Sequence, residues 1–444
     1  MVVNRRQLMA GAGTAGLGFA LAGAVDAVFA GTANAATPKA FRGYGELVAD
    51  PKKVIDLPAG FRYTVFSRAG KDTLDGGGAV PGSHDGMYAF PGGIGRSVLV
   101  RNHELSPGTD IPAVPHRDGL VYDPACPGGT TTLTVAGDRL LGHVPSLAGT
   151  YRNCAGGGTP WRTWLSCEET EATPATEAVL TKKHGYVFEV DPFGRLRDAA
   201  PVPLTALGRF PHEAVAIDPR SGIVYLTEDA AKPYGLLYRL LPRRPLGGPG
   251  SLRAGGKLQA LSVPDVRDLS AVRELSTKLA VTWVDVPDPD ATTVSVRSQF
   301  DAAKITRVPK AEGIFWSGGT AYIVSSYAKK ADGAATDHSG QVWRFDPKHS
   351  TLELVLRLEP GGRFDGPDNI TVSPLGGIVL CEDGDGENYL VAPSADGTPY
   401  PLARNAGSDS EWAGATFSQD GRWLYANVQG DGLTVAITGP WWRG

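Results

Sequence analysis

From Phe61-Arg62-Tyr63-Thr64-Val65 onward the chain alternates apolar and polar residues in short β-branched and aromatic runs, separated by Gly, Pro and Asp. That periodicity predicts half-buried strands joined by tight turns. No stretch carries a long helical period. The segment from Asp265 to Ala280 comes nearest, and it predicts a small helical or irregular insertion spanning about 242–297.

The strands recur in an approximate repeat. Gly-, Pro- or Asp-rich turns stand at Pro91-Gly92-Gly93, Gly156-Gly157-Gly158, Asp218 to Gly222, Ser317-Gly318-Gly319, Ser373 to Gly377 and Ser418 to Gly421. Behind them lie Ser-Val-Leu-Val, Arg-Thr-Trp-Leu, Ile-Val-Tyr-Leu, Ala-Tyr-Ile-Val, Ile-Val-Leu-Cys and Trp-Leu-Tyr-Ala. The intervals are about 45 to 65 residues, except one near 100 that contains the insertion. Units of this size, each too small to bury its own faces, predict an all-β, six-bladed β-propeller. A pair of β-sandwiches is the alternative, and the uninterrupted repeat without a domain linker argues against it. The expected organisation is a single propeller over 61–444, preceded by an irregular lead-in over 37–60.

Composition agrees: 58 Gly and 34 Pro in 444 residues suit many short strands. A net charge of −4 leaves no basic face for nucleic acid. At the start, Asn4-Arg5-Arg6-Gln7-Leu8-Met9 is a twin-arginine pattern, followed by an apolar Gly/Ala/Leu run and the small-residue site Ala33-Asn34-Ala35. Residues 1–36 thus read as a signal peptide for the twin-arginine export machinery, which carries folded proteins. The run is short and Gly-rich, so no stable membrane anchor is expected. The mature protein is expected to act as a monomer outside the cytoplasm, in the periplasm or at the cell surface. Of the four cysteines, Cys126 and Cys154 lie in Pro/Gly-rich segments and could bridge each other, and Cys381 reads as a small buried residue.

Acids fall in phase with the repeat. His84-Asp85-Gly86, Pro211-His212-Glu213, Ala311-Glu312-Gly313, Gly366-Pro367-Asp368-Asn369 and Ser410-Glu411-Trp412 each place one five to eight residues before a turn. In a propeller those positions open the innermost strands, so five of six blades would aim a carboxylate at the axis. Further acids end strands at Arg101-Asn102-His103-Glu104, Cys167-Glu168-Glu169, Glu228-Asp229 and Glu382-Asp383. One such acid alone is a turn cap. A converging set repels itself unless cations neutralise it, so the chain reads as a metal cage.

Carboxylates suit Ca2+. A thiolate among them points to a transition metal such as iron, and Cys167, directly before Glu168, is the expected sulfur ligand. The loop from Glu382 to Asn388 is acidic and Gly-rich without the spacing of an EF-hand. Clustered cations bind anionic oxygen groups and activate water, which makes phosphate esters the natural substrate class. No Gly-x-Ser-x-Gly elbow, Walker loop or HExxH motif is present.

Arg101-Asn102-His103-Glu104, Trp161 to Thr170, Lys183 to Glu189, Gly208 to Ala214, Tyr225 to Asp229, Gly366-Pro367-Asp368-Asn369 and Glu411 to Ser418 resemble the PhoX-type alkaline phosphatases in order and spacing over nearly the whole mature chain. The resemblance implies a six-bladed propeller with iron and calcium at its axis. It also implies hydrolysis of small phosphomonoesters with a phosphodiesterase side activity. By motif, Cys167 and Glu213, with Glu104, would bind Fe3+. Glu312, Asp368 and Glu411 would hold Ca2+, and Glu168 would be a ligand or orient one. Lys310, Glu104 and His103 are the expected catalytic residues. Two departures stand out: Lys310 occupies a position where the family carries Arg, and Arg162 one where it carries Gly. The chain is also shorter than the family's characterised phosphatases. Two other functions fit the same pattern. One is a calcium-dependent propeller hydrolase of lactonase type; the other is a non-catalytic, calcium-stabilised surface propeller.

Overall fold

The computed structural model describes residues 42–196 and 200–441, so the twin-arginine pattern and the Ala33-Asn34-Ala35 site lie outside the described residues. Six antiparallel sheets are arranged as the blades of a propeller. Their innermost strands, in chain order, are His84–Pro91, Asn153–Gly158, His212–Ile217, Ala311–Ser317, Pro367–Val372 and Trp412–Phe417. Each inner strand packs on the next, and the sixth on the first, so the ring closes.

Closure comes from the N-terminal side. Arg62–Arg68 pairs with Leu433–Thr438 as the outer strand of the sixth blade, which leaves no split between first and last blades. The stretch expected as an irregular lead-in is partly strand. Ile55–Pro58 pairs with Pro399–Asn405 and Leu47–Val48 pairs with Ile55–Pro58, giving the fifth blade six strands. The Asp56–Arg404 ion pair at 2.6 Å fixes that register.

The insertion is likewise woven into blades. Gly256–Ser262 and Thr282–Asp285 extend the third blade, and Lys278–Ala280 adds an edge strand to the fourth. The helical pattern over Asp265 to Ala280 yields only the 3-10 turn Leu269–Ala271. Pairing with the outer strand Thr351–Leu358 satisfies the backbone that a helix would otherwise have to satisfy.

The core is divided among six seams, one between each pair of blades. Strand period decides which seam a side chain enters: Leu226 packs toward the second blade and Tyr225 toward the fourth. Both faces of each blade are therefore apolar, which is why the second strands read as unbroken hydrophobic runs. All four cysteines are free, with Cys126 and Cys154 in separate clusters.

Candidate metal centre

Five inner strands present the same position at one end of the channel: Asp85, Cys154, Glu213, Glu312 and Asp368 are each the second residue of their strand. Every one lies within a register shift, between His84/Met87, Asn153/Gly156, His212/Val215, Ala311/Ile314 and Pro367/Ile370. A bulge re-aims the side chain it contains, and here five aligned bulges turn five side chains toward one region. The sixth blade differs. Its register shift falls between Ala413/Thr416, and the acid, Glu411, stands just ahead of its strand.

Gly or Ala follows four of the five positions, Asn369 being the exception, and at the two glycines the packing requires it. A Cβ on Gly86 would lie 2.5 Å from the Ala155 Cα, and one on Gly313 would lie 2.7 Å from the Asp368 carbonyl oxygen. Neighbouring inner strands approach this closely only without side chains there, and their approach brings the acids together.

Three groups of ligand-type atoms result, each with members within 4.8 Å of one another: Cys154, Glu169 and Glu213; Glu213, Glu312 and Asp368; and Asp85, Glu104 and Glu411. Glu213 belongs to two of them. Burial, and then neighbouring carboxylates, push the carboxyls of Asp85, Glu169, Glu213, Glu312, Asp368 and Glu411 well above the usual range. The Cys154 thiol is raised by the same causes, chiefly burial and then Glu213. Without cations the group holds protons it would shed in water.

Two basic side chains border the acids. Lys310 contacts Asp229 and lies 3.2 Å from Glu312. Those two carboxylates outweigh burial and raise its ammonium pKa, so it stays charged. Its backbone is left-handed at φ 44°, a strained conformation retained immediately before the inner strand. Arg152 pairs with Glu169 at 2.5 Å and Glu104 at 3.3 Å, with 40% of its side chain exposed. Behind the acids, Gln429 donates to Glu104 at 2.7 Å and to Asp85 at 3.0 Å. Asn102 donates to the carbonyls of Cys154 and Ala155, clamping the second inner strand to the first blade.

Glu104, Glu213, Glu312, Asp368, Glu411 and Lys310 thus meet at one end of the channel. Three expected site residues do not join them. Leu165 and Cys167 alternate onto the face of Trp164–Glu168 that packs among Val187, Phe210 and Val215, and Cys167 joins none of the three groups. Glu168 is saturated locally, accepting from the N–H groups of Tyr151, Gly185 and Tyr186 and from the His184 ring. His103 is fully buried, with Nδ1 2.8 Å from the Gly82 carbonyl and Nε2 2.9 Å from Thr131 Oγ1. Neither ring nitrogen remains for a substrate.

Cys154, Glu169, Asp85, Asp229 and Arg152 take their places. Cys154 had a legible signal: it fills, in the second blade, the position that acids fill in four others. The chemistry of this donor set fits metal ions, because buried carboxyl oxygens dominate and a single sulfur stands at one edge. Beyond the acids the channel continues as a cavity of about 200 Å³ lined by Tyr88, Trp164, Phe315 and Trp316. Its walls are mostly apolar, so the charged chemistry is confined to the one end.

The family described as alkaline phosphatase PhoX matches the chain over residues 42–144 and 136–432. The structure of Pseudomonas fluorescens PhoX in complex with vanadate, a transition state analogue, superposes with a TM-score of 0.67 at 19% identity, covering 87% of this chain and 96% of that one. A gluconolactonase from Xanthomonas campestris matches with a TM-score of 0.36 at 13% identity, covering 82% and 98% respectively. No curated protein matches.

Proposed function

The chain belongs to the PhoX alkaline phosphatase family, and we propose that its metal-dependent phosphatase activity resides in the ring formed by Asp85, Glu104, Cys154, Glu169, Glu213, Glu312, Asp368 and Glu411. The observation that carries this assignment is the convergence of buried carboxyls with, among the described residues, Lys310 and Arg152 paired against them. A protein that kept such a group without cations would bear a large desolvation penalty.

By donor chemistry, Cys154 with Glu169 and Glu213 would hold Fe3+, and the oxygen-only groups would hold Ca2+. When bound, such ions polarise a phosphoryl oxygen and lower the pKa of water so that it attacks at neutral to alkaline pH. The chain's own residues supply the rest. Lys310, kept charged by Asp229 and Glu312, meets a non-bridging phosphate oxygen as a point charge. Arg152, held by Glu104 and Glu169 with 40% of its side chain exposed, has N–H groups left to donate to a second oxygen. Small phosphomonoesters fit this pair of contacts best, with diesters as slower substrates, because a second ester group removes one of the charged oxygens.

The test is turnover of p-nitrophenyl phosphate and of a bis-ester by protein loaded with both metals. Cys154→Ser should abolish the visible sulfur-to-iron band together with the activity. Turnover that survives without iron, on calcium alone, would refute the mixed centre. Folded export by the twin-arginine route and a monomeric state complete the proposal; N-terminal sequencing and sedimentation of the exported protein test them. Among the described residues no helix is long and apolar enough to cross a membrane.

A further inference from the structure

One buried polar group is not used by the axial chemistry. Asp123 and Cys126 lie on the loop between Ser97–His103 and Gly128–Ala136, and His184 lies on the loop between Trp164–Glu168 and Val187–Val190. All three are buried. Their ligand-type atoms lie within 4.8 Å of one another.

The distances have the dimensions of a coordination shell. His184 Nε2 is 3.4 Å from Asp123 Oδ2 and 3.5 Å from Cys126 Sγ. Tetrahedral zinc with ordinary Zn–N, Zn–O and Zn–S bonds sets the N···O edge at about 3.3 Å and the N···S edge at about 3.6 Å. The supporting bonds are also in place. His184 Nδ1 is 2.7 Å from Glu168 Oε1, which directs Nε2 inward, the carboxylate–histidine arrangement that usually backs a metal-bound imidazole. Asp123 accepts from the N–H groups of Ala125, Thr181 and Lys182 and from the Thr181 hydroxyl, so its carboxylate is fixed before any ion arrives. The rings of Tyr122 and Tyr151 stand edge-on to His184 at 5.4 and 5.8 Å and shield it.

We propose that Asp123, Cys126 and His184 bind one zinc-type divalent ion, with water in the fourth position, separately from the axial centre. Sulfur and imidazole together exclude Ca2+ as the natural occupant. Binding replaces the Cys126 S–H bond with a sulfur–metal bond and releases the proton to solvent. Buried behind both tyrosines, the ion has no path to substrate, so it acts as a clip between the two loops. The clip bears on the active end through Glu168, which holds the Tyr151 N–H next to Arg152 and adjoins Glu169 in the chain.

The axial group contains no histidine, so the two centres are separable on the intact wild-type protein. Protein supplied with Ca2+, iron and Zn2+ is read by X-ray absorption at the zinc edge. One sulfur and one imidazole around zinc, at one zinc per chain, is the expected shell. In His184→Gln the imidazole signature should vanish while the sulfur-to-iron band of the axial centre remains. Zinc that is not retained, or that shows no imidazole or no sulfur, overturns the proposal. So does an imidazole shell that survives His184→Gln.

Discussion

The chain gathers thiol and carboxylate in two places on either side of Glu168-Glu169, and the two gatherings are built on opposite terms. In the axial group, carboxyls crowd one another and offer few donors to satisfy them, so their acid pKa values rise together. In the peripheral group the single acid, Asp123, is satisfied four times over, which outweighs its burial and holds its pKa down at about 2. One site is electrostatically incomplete and open to the channel; the other is nearly complete and closed. The same residue types make a reaction centre in the first case and a clip in the second, because excess buried charge is what draws in ions and polarises a substrate.

The largest effect should come from the residue shared by two axial groups. Glu213→Gln removes one charge from each, and kcat on p-nitrophenyl phosphate should fall about 10³-fold, the scale of losing a principal electrostatic contact in the transition state. Iron and calcium content should fall together. If calcium alone is lost, the two groups are independent and Glu213 does not join them. Next is Lys310: Lys310→Gln should lower kcat/KM about 10- to 100-fold, as expected for a charged hydrogen bond to phosphate. Lys310→Arg should retain most of it.

Much of this was readable before folding. The strand period, the turn spacing and the acids in phase with them specify the propeller and the end of it that carries charge. Bulges were not readable, because they arise from the register in which each inner strand pairs with its neighbour, which the apolar/polar period does not encode. It is the bulge that makes the second residue of the inner strand, and not the last residue of the next strand, the one aimed inward. That is why Cys154, set among glycines, passed for a disulfide candidate while Cys167, beside two acids, passed for a ligand. Whether Glu168 binds a metal or only orients its neighbours was left open for a related reason: adjacent residues at a strand end diverge, and only the partners waiting at Tyr151, His184 and Gly185 decide which one turns away from the axis.

A smaller effect separates the two terms by pH. The axial carboxyls, and Glu228 and Glu382 at about 7 and about 9, titrate above their unfolded values. A raised carboxyl binds its proton more tightly in the folded state. Its stabilising contribution is therefore complete below the unfolded pKa of about 4.5 and is lost as pH climbs through the raised value. Chelator-treated protein should show a thermal midpoint that falls steadily between about pH 5 and 9. Reloaded protein should lose most of that slope, because cations that bind only the folded state supersede the protons. A midpoint equally pH-dependent with metals restored would mean that the ions do not reach the axial acids.

The smallest expected effect is the sharpest on the comparison. Cys154 and Cys167 share one apolar cluster and both are almost wholly buried, so size and burial cannot tell them apart. What differs is reach: Cys154 Sγ lies within 4.8 Å of ligand atoms of Glu169 and Glu213, while Cys167, although it senses the charge of Glu213, joins no such group. Cys167→Ser places a hydroxyl in an apolar cluster and should cost about 1–3 kcal/mol in a denaturant melt. It should leave the sulfur-to-iron band in place and kcat within about threefold, because a change of that size in core packing moves stability before it moves a separate site. Cys154→Ser should do the reverse, with the band gone and stability little changed beyond loss of the metal. Should the band vanish with Cys167 and persist without Cys154, the sulfur ligand comes from the strand end after all, and the bulge is not what selects it.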